Sequence, residues 1–119
     1  MKRGDLGRLG EDLAAEYLKK QGYKILDRNF HSRVGELDIV AQDKETLVFI
    51  EVKTRWSKKF GLPVEAITSW KLKSILKTAE YYKLLHSSLP DSLRIDAVAI
   101  EIDQNNNPLK FDHLKNISM

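Results

Sequence analysis

Four ionisable residues interrupt a segment that otherwise reads as a buried hairpin. In GELDIVAQDKETLVFIEVKTR, Gly35 to Arg55, Glu36 and Asp38 break one apolar run and Glu51 and Lys53 break the next. Carboxylates gathered on a rigid sheet offer hard oxygen donors of the kind that hold magnesium or manganese. An ammonium beside them offsets their charge. Everything then depends on whether the fold brings the four together.

Register arithmetic says that it does. If Gln42 pairs with Leu47 across the turn, Asp38 falls opposite Glu51 and Glu36 opposite Lys53. Period-2 alternation collects Leu37, Ile39, Ala41, Val48, Ile50 and Val52 on one wholly apolar face. The second face carries Val40, Leu47 and Phe49 near the turn, and the charged residues at its open end. Facing carboxylates repel by roughly 0.2–1 kcal/mol on an exposed sheet, and by more when partly buried. A compensating cation is therefore expected, either Lys53 or a divalent ion. A single E-x-K on a strand usually does no more than solvate a sheet edge. Its position opposite E-x-D on an apolar hairpin favours a site.

The elements around the hairpin follow from periodicity. Leu6, Leu9, Leu13 and Tyr17 recur at helical spacing, predicting a helix from about Asp5 to Gln21, with Gly22 as its stop. A strand over Tyr23–Phe30 and a polar loop to Gly35 lead into the hairpin strands, Glu36–Gln42 and Leu47–Thr54. Trp56–Pro63 reads as a basic loop. A second helix should run from a Thr68 or Ser69 N-cap to about Leu85, with Leu72, Ile75, Leu76, Ala79 and Tyr82 on one face. Ile95–Ile102 and Leu109–Leu114 close the chain as strands. The order α-β-β-β-α-β-β predicts an α/β fold, a mixed sheet of four to five strands flanked by helices on both faces.

Composition narrows the class. The 119 residues suit one domain spanning 1–119, 42% hydrophobic and 31% charged, with a net charge of +3. A mildly basic balance permits a nucleic-acid partner without demanding one. The absence of cysteine removes disulfides and thiolate chemistry. No apolar run approaches the ~18 residues of a membrane span, and no signal-peptide pattern stands at the N-terminus, so a cytoplasmic protein without a membrane partner is expected. His31, His86 and His113 lack ligand spacing, which argues against a histidine metal site. No serine-nucleophile motif or glycine-rich phosphate loop is present.

Asp38 followed by Glu51-Val52-Lys53 resembles the PD-(D/E)xK signature of restriction endonucleases and archaeal Holliday-junction resolvases. The proline of that name is absent, Leu37 standing in its place. More closely, Gly10-Glu11, Gly35-Glu36-Leu37-Asp38, Phe49 to Arg55 and Arg94-Ile95-Asp96 are similar, in order and spacing, to the YraN family of bacterial proteins, described as predicted nucleases. The resemblance implies a restriction-endonuclease-like core and hydrolysis of DNA phosphodiesters with Mg2+ or Mn2+, branched or structured DNA being the substrate suggested. It implies that Asp38, Glu51 and Glu11 hold the metal, with the Val52 carbonyl as a further ligand. Lys53 would position the attacking water and offset phosphate charge. Glu36 belongs to the family motif as an auxiliary residue, and Lys71 resembles a basic position that reaches substrate.

On residue grounds alone Glu11 is an ordinary helix glutamate at the margin of an apolar stripe. Arg28, Arg33, Arg55, Lys58 and Lys59 flank the site with Trp56 interleaved, a pattern that could track a phosphate backbone. Asp96, at the mouth of a buried strand, reads as structural. A non-catalytic nucleic-acid-binding module with the same fold is the alternative, and an acidic protein-docking patch a third reading. Nucleases of this size pair to reach two strands, so a homodimer is an expectation, although no heptad pattern argues for one.

Overall fold

The computed structural model describes residues 3–56 and 67–117. In it the chain forms α1 (Arg3–Lys20), β1 (Lys24–His31), β2 (Glu36–Asp43), β3 (Thr46–Trp56), α2 (Ser69–Leu85), β4 (Ser92–Ile102) and β5 (Pro108–Leu114). The five strands make one sheet in chain order, β1-β2-β3-β4-β5. Neighbours run antiparallel except β3 and β4, which are parallel because α2 lies in the connection between them. This is the expected α/β order and mixed sheet, compatible with a restriction-endonuclease-like core. No helix among the described residues is long and apolar enough to cross a membrane.

Local chemistry ends and starts the helices where the sequence predicts. Gly22 adopts φ 94, and the N–H groups of Gly22 and Tyr23 return to the carbonyls of Lys19 and Leu18 at 3.0 and 2.9 Å. That is a Schellman cap, open to glycine because it lacks a Cβ. At α2, the Thr68 hydroxyl accepts from Lys71 N–H at 3.1 Å.

Each helix covers one face of the sheet. Leu18 of α1 packs with Ile39, Val48, Ile50, Val98 and Ile100. On the other face Ile75, Ala79 and Tyr82 of α2 pack with Val40, Leu47, Phe49 and Ile95. Strands buried on both faces read as continuous apolar runs, as β3 and β4 do.

Three expectations are corrected. Leu37 joins Val40 on the α2 side instead of Ile39 on the α1 side. The break in alternation lies opposite Asn29, whose φ of 55 kinks β1 between the Arg28–Ile39 and Phe30–Leu37 pairs. Leu76 is 40% exposed while Thr78 is fully buried. The cause is close packing of α2 on Gly35, where an added Cβ would lie 2.7 Å from Thr78 Oγ1 and 2.8 Å from Ser74 Oγ. That contact rotates Thr78 inward, where its hydroxyl donates to the Ser74 carbonyl at 2.8 Å. Finally, Trp56 ends β3 instead of opening a loop; Lys58, Lys59 and the rest of that basic segment lie outside the described residues.

Asp96 is structural, as expected, and fully buried. It accepts from Arg94 Nε and His113 Nε2, each at 2.8 Å, from Asn116 N–H at 3.0 Å and from the Tyr23 hydroxyl at 3.3 Å. Burial alone would raise its pKa, but the hydrogen bonds from His113, Arg94 and Asn116 outweigh it and hold the carboxyl down at about 2.

Two predictions follow from this packing. A Cβ on Gly10 would lie 1.6 Å from Thr54 Oγ1, whereas one on Gly7 meets nothing within 4 Å. Gly7→Ala should therefore stabilise the fold by about 0.5–1 kcal/mol through helix propensity, while Gly10→Ala should cost about 1–3 kcal/mol through overpacking, both read by urea unfolding. Asp96→Ala should cost about 3–5 kcal/mol, because it removes one partner of a buried ion pair and leaves Arg94 with only the longer contact to Asp43. The depressed Asp96 pKa means that its contribution is complete above the ordinary carboxylate range and drains away as pH falls toward about 2. Wild-type stability, but not that of the variant, should show this drop on acid titration.

Candidate functional site

The hydrogen-bonded ladder between β2 and β3 stops one pair before the charged residues. It runs from Asp43–Thr46 to Ile39–Ile50, so the expected backbone pairing of Asp38 with Glu51 and Glu36 with Lys53 does not form. The strands part at this point, and a side chain fills the gap: Asp38 Oδ2 accepts the Val52 N–H at 2.9 Å. In an extended strand the N–H and C=O of one residue point toward the same neighbour. The Val52 carbonyl therefore also faces the gap, while its side chain packs into the α1-side core.

Glu11, Glu36, Asp38, Glu51, Val52, Lys53 and Lys71 line one open cavity of about 380 Å³ at this split. The site draws on both helices. Glu11 arrives from α1, carried next to β3 by the close approach of Gly10 to Thr54. Lys71 arrives from the first turn of α2, its position set by the Thr68 cap. That first turn holds no acidic residue, so Lys71 opposes the positive end of the helix dipole. Its partner lies across the cavity instead, with Glu51 Oε2 3.7 Å from Lys71 Nζ and 3.8 Å from Lys53 Nζ.

Glu51 is only 7% exposed. Burial, and then the neighbouring Asp38 charge, push its carboxyl well up from the ordinary range; Lys71 and Lys53 pull the other way without restoring it. Asp38 is raised too, chiefly by burial, against the hydrogen bond donated by Val52 N–H. A buried Glu51 carboxyl and a half-buried Asp38 carboxyl thus share the gap, and the two lysines beside them do not restore an ordinary pKa to either.

The remaining residues sort clearly. Glu11 is raised by burial and by Asp38, and its Oε1 stands 3.9 Å from Arg28 Nη2. Among the described residues no three carboxylate or imidazole groups converge tightly enough to form a ready metal cage. Glu36 leans away, its Oε2 3.1 Å from His31 Nδ1. Arg33 lines a different cavity, and Arg55 lies further along β3 beside Glu101. Sequence reasoning missed that Arg28 binds Asp12 at 2.6 Å and stands only at the margin of Glu11, and the chain carries no local signal for it. Gly10 was visible as a motif residue, but its meaning as a contact surface was not.

The raised Glu51 pKa carries a stability cost that grows as pH rises from the ordinary carboxylate range through the raised value. In chelator, Glu51→Gln should therefore stabilise the protein at pH 8 by about 2–4 kcal/mol, at ~1.4 kcal/mol per pKa unit for a carboxyl pushed up to about 7. The gain should shrink toward pH 4, where the wild-type carboxyl is already protonated. Thermal unfolding at the two pH values checks both the sign and the trend.

Comparison with known proteins bears on the same residues. The model of uncharacterised protein family UPF0102 matches residues 10–100, a span that contains every residue lining the carboxylate gap from Glu11 to Lys71. A UPF0102 protein of Caldicellulosiruptor bescii is 49% identical over 111 residues, covering 92% of this chain and 93% of the relative. One from Caldicellulosiruptor saccharolyticus is 43% identical over 98% of both chains, and one from Persephonella marina is 44% identical over 92% of this chain and 90% of the relative. Matches of this extent leave no room for a chance likeness of short motifs: the chain belongs to family UPF0102, the YraN family.

Proposed function

We propose that this protein is a metal-dependent nuclease of PD-(D/E)xK type that hydrolyses phosphodiester bonds in DNA, with branched or otherwise structured DNA as the substrate class. The observation that carries the reading is the pairing of half-buried Asp38 with buried Glu51 at the β2–β3 split. A fold gains nothing in stability from holding two carboxyl groups together out of water, so the arrangement makes sense as a cation site.

The donor set suits Mg2+ or Mn2+. Asp38 and Glu51 offer hard carboxylate oxygens from the two sides of the gap, the Val52 carbonyl faces the same gap, and Glu11, lining the same cavity, can complete the set. When bound, such an ion would polarise a phosphoryl oxygen and lower the pKa of a water molecule. Lys53 orients the attacking water and balances charge that builds on the phosphate. Water then adds at phosphorus as the bond to the leaving oxygen breaks, yielding one phosphomonoester end and one hydroxyl end. Lys71, at the amino end of α2, draws the phosphate toward the cavity. Arg33 and Arg55 contact flanking phosphates, and Glu36 holds the rim of the site through His31.

The test is cleavage of labelled four-way-junction, flap, duplex and single-stranded DNA in Mg2+ or Mn2+. Asp38→Ala and Lys53→Ala should each lower the rate by about 10²–10⁴-fold, and chelator should abolish cutting. Manganese titrated calorimetrically should bind the wild type and fail to bind Glu51→Ala. Cleavage that survives either substitution or the chelator would overturn the reading. DNA binding without metal and without cleavage, unchanged by Lys53→Ala, would replace it with a non-catalytic binding module.

A further inference from the structure

A second cavity, of about 450 Å³, opens on the α2 face beside the first. Phe30, His31, Arg33, Val34, Tyr81 and Leu85 line it, and no carboxylate does. Its volume falls in the range that binds small organic groups. The floor is fixed: Phe30 meets the buried Tyr82 edge-on at 5.0 Å and Tyr81 at 6.3 Å. The wall is fixed too, because the Ser32 hydroxyl donates to the Gly35 carbonyl at 3.1 Å and accepts from Val34 N–H at 3.1 Å. On the rim Val34, Tyr81 and Leu85 stand 41%, 39% and 54% exposed. The rim residues Val34, Tyr81 and Leu85 belong to neither hydrophobic core cluster.

Position and charge say what it takes. His31 lines this cavity and Glu36 lines the carboxylate cavity, and the two side chains touch at 3.1 Å. The cavities therefore share a wall. Along α2, Lys73, Lys77 and Tyr81 follow one another at intervals of four residues, so they stack on adjacent turns. From Lys71 in the carboxylate cavity to Tyr81 is ~15 Å at 1.5 Å of rise per residue, a span of a few nucleotides. Arg33, Lys73 and Lys77 make no ion pair among the described residues, and Trp70 at the start of the helix is 76% exposed. Aromatic faces interleaved with unpaired cations are the usual platform for single-stranded nucleic acid, since every base has a π-face and every link a phosphate.

We infer that this slot holds an unpaired nucleobase, stacked on Tyr81, while Arg33 and Lys77 neutralise the adjoining phosphates. The inference deepens the nuclease reading, on which it rests for its nucleic-acid ligand. It assigns the substrate an unpaired stretch a few nucleotides from the scissile bond, so a fully paired duplex engages the carboxylate cavity without filling the slot.

Fluorescence anisotropy on the full chain, in chelator at low salt, tests this with a labelled single-stranded oligothymidylate. Tyr81→Leu keeps apolar volume over Phe30 but removes the π-face, and should weaken single-strand binding about 5- to 100-fold, the range for one lost base stack. Affinity for a blunt duplex should not change. An oligonucleotide with abasic positions should bind the wild type more weakly than the intact strand, and bind Tyr81→Leu as weakly as the intact strand does. Arg33→Gln and Lys77→Gln should flatten the salt dependence. Equal single-strand affinity for wild type and Tyr81→Leu, or equal losses on single strand and duplex, would overturn the slot. So would a change in oligomeric state by sedimentation with DNA affinity unmoved, which would assign the surface to a second copy of the chain. Cleavage in Mg2+ or Mn2+ without base-dependent binding would sink the slot and spare the nuclease; base-dependent binding without cleavage would do the opposite.

Discussion

Val52 donates its backbone N–H to a side chain, where a continuing sheet would offer a carbonyl. The rest of the site depends on that substitution. Once the Asp38 carboxylate takes the bond, β2 no longer needs to run alongside β3, and the strands separate without leaving a buried donor unsatisfied. The separation opens a cavity through which residues from both faces of the sheet can meet. Glu11 comes from one helix and Lys71 from the other. Lys71 meets Glu51 there at 3.7 Å.

Two aspartates on neighbouring parts of this sheet show how environment decides role. Asp96 is fully buried and accepts hydrogen bonds from four residues, so its charged form is favoured and its pKa falls. It ties β4 to β5 and to the start of β1. Asp38 loses water on folding and has a single backbone donor, Val52 N–H, too little to offset that loss, so its charged form is disfavoured. The first arrangement completes a fold. The second leaves a demand for positive charge that the chain meets only in part, through Lys53 and Lys71 on Glu51.

Glycine sets the tolerances of the assembly. Gly10 lets α1 lie against Thr54, and Gly35 lets α2 lie against the entry to β2. Both contacts are too close for any side chain. Each sits one residue from a carboxylate of the cavity, Glu11 in one case and Glu36 in the other. The same close packing at Gly35 turns Tyr81 and Leu85 toward the β1–β2 loop, where they form the rim of the second cavity.

Much of this was legible in the residues. Apolar period, caps and turn chemistry act over a few residues, so the element order, the Gly22 stop, the Thr68 cap and the Gln42–Leu47 register could be read directly. The motif spacing likewise marked Asp38, Glu51 and Lys53 as neighbours. Leu37 and Leu76 were misread because a kink at Asn29 and the contact at Gly35 are made between elements, and alternation counts know nothing of partners. The same limit hid the Arg28–Asp12 pair beside Glu11 and the cavity beneath Tyr81. Local pattern determined which residues could do chemistry; packing between elements distant in the chain decided which of them lose water, and burial is what changes a carboxylate's charge.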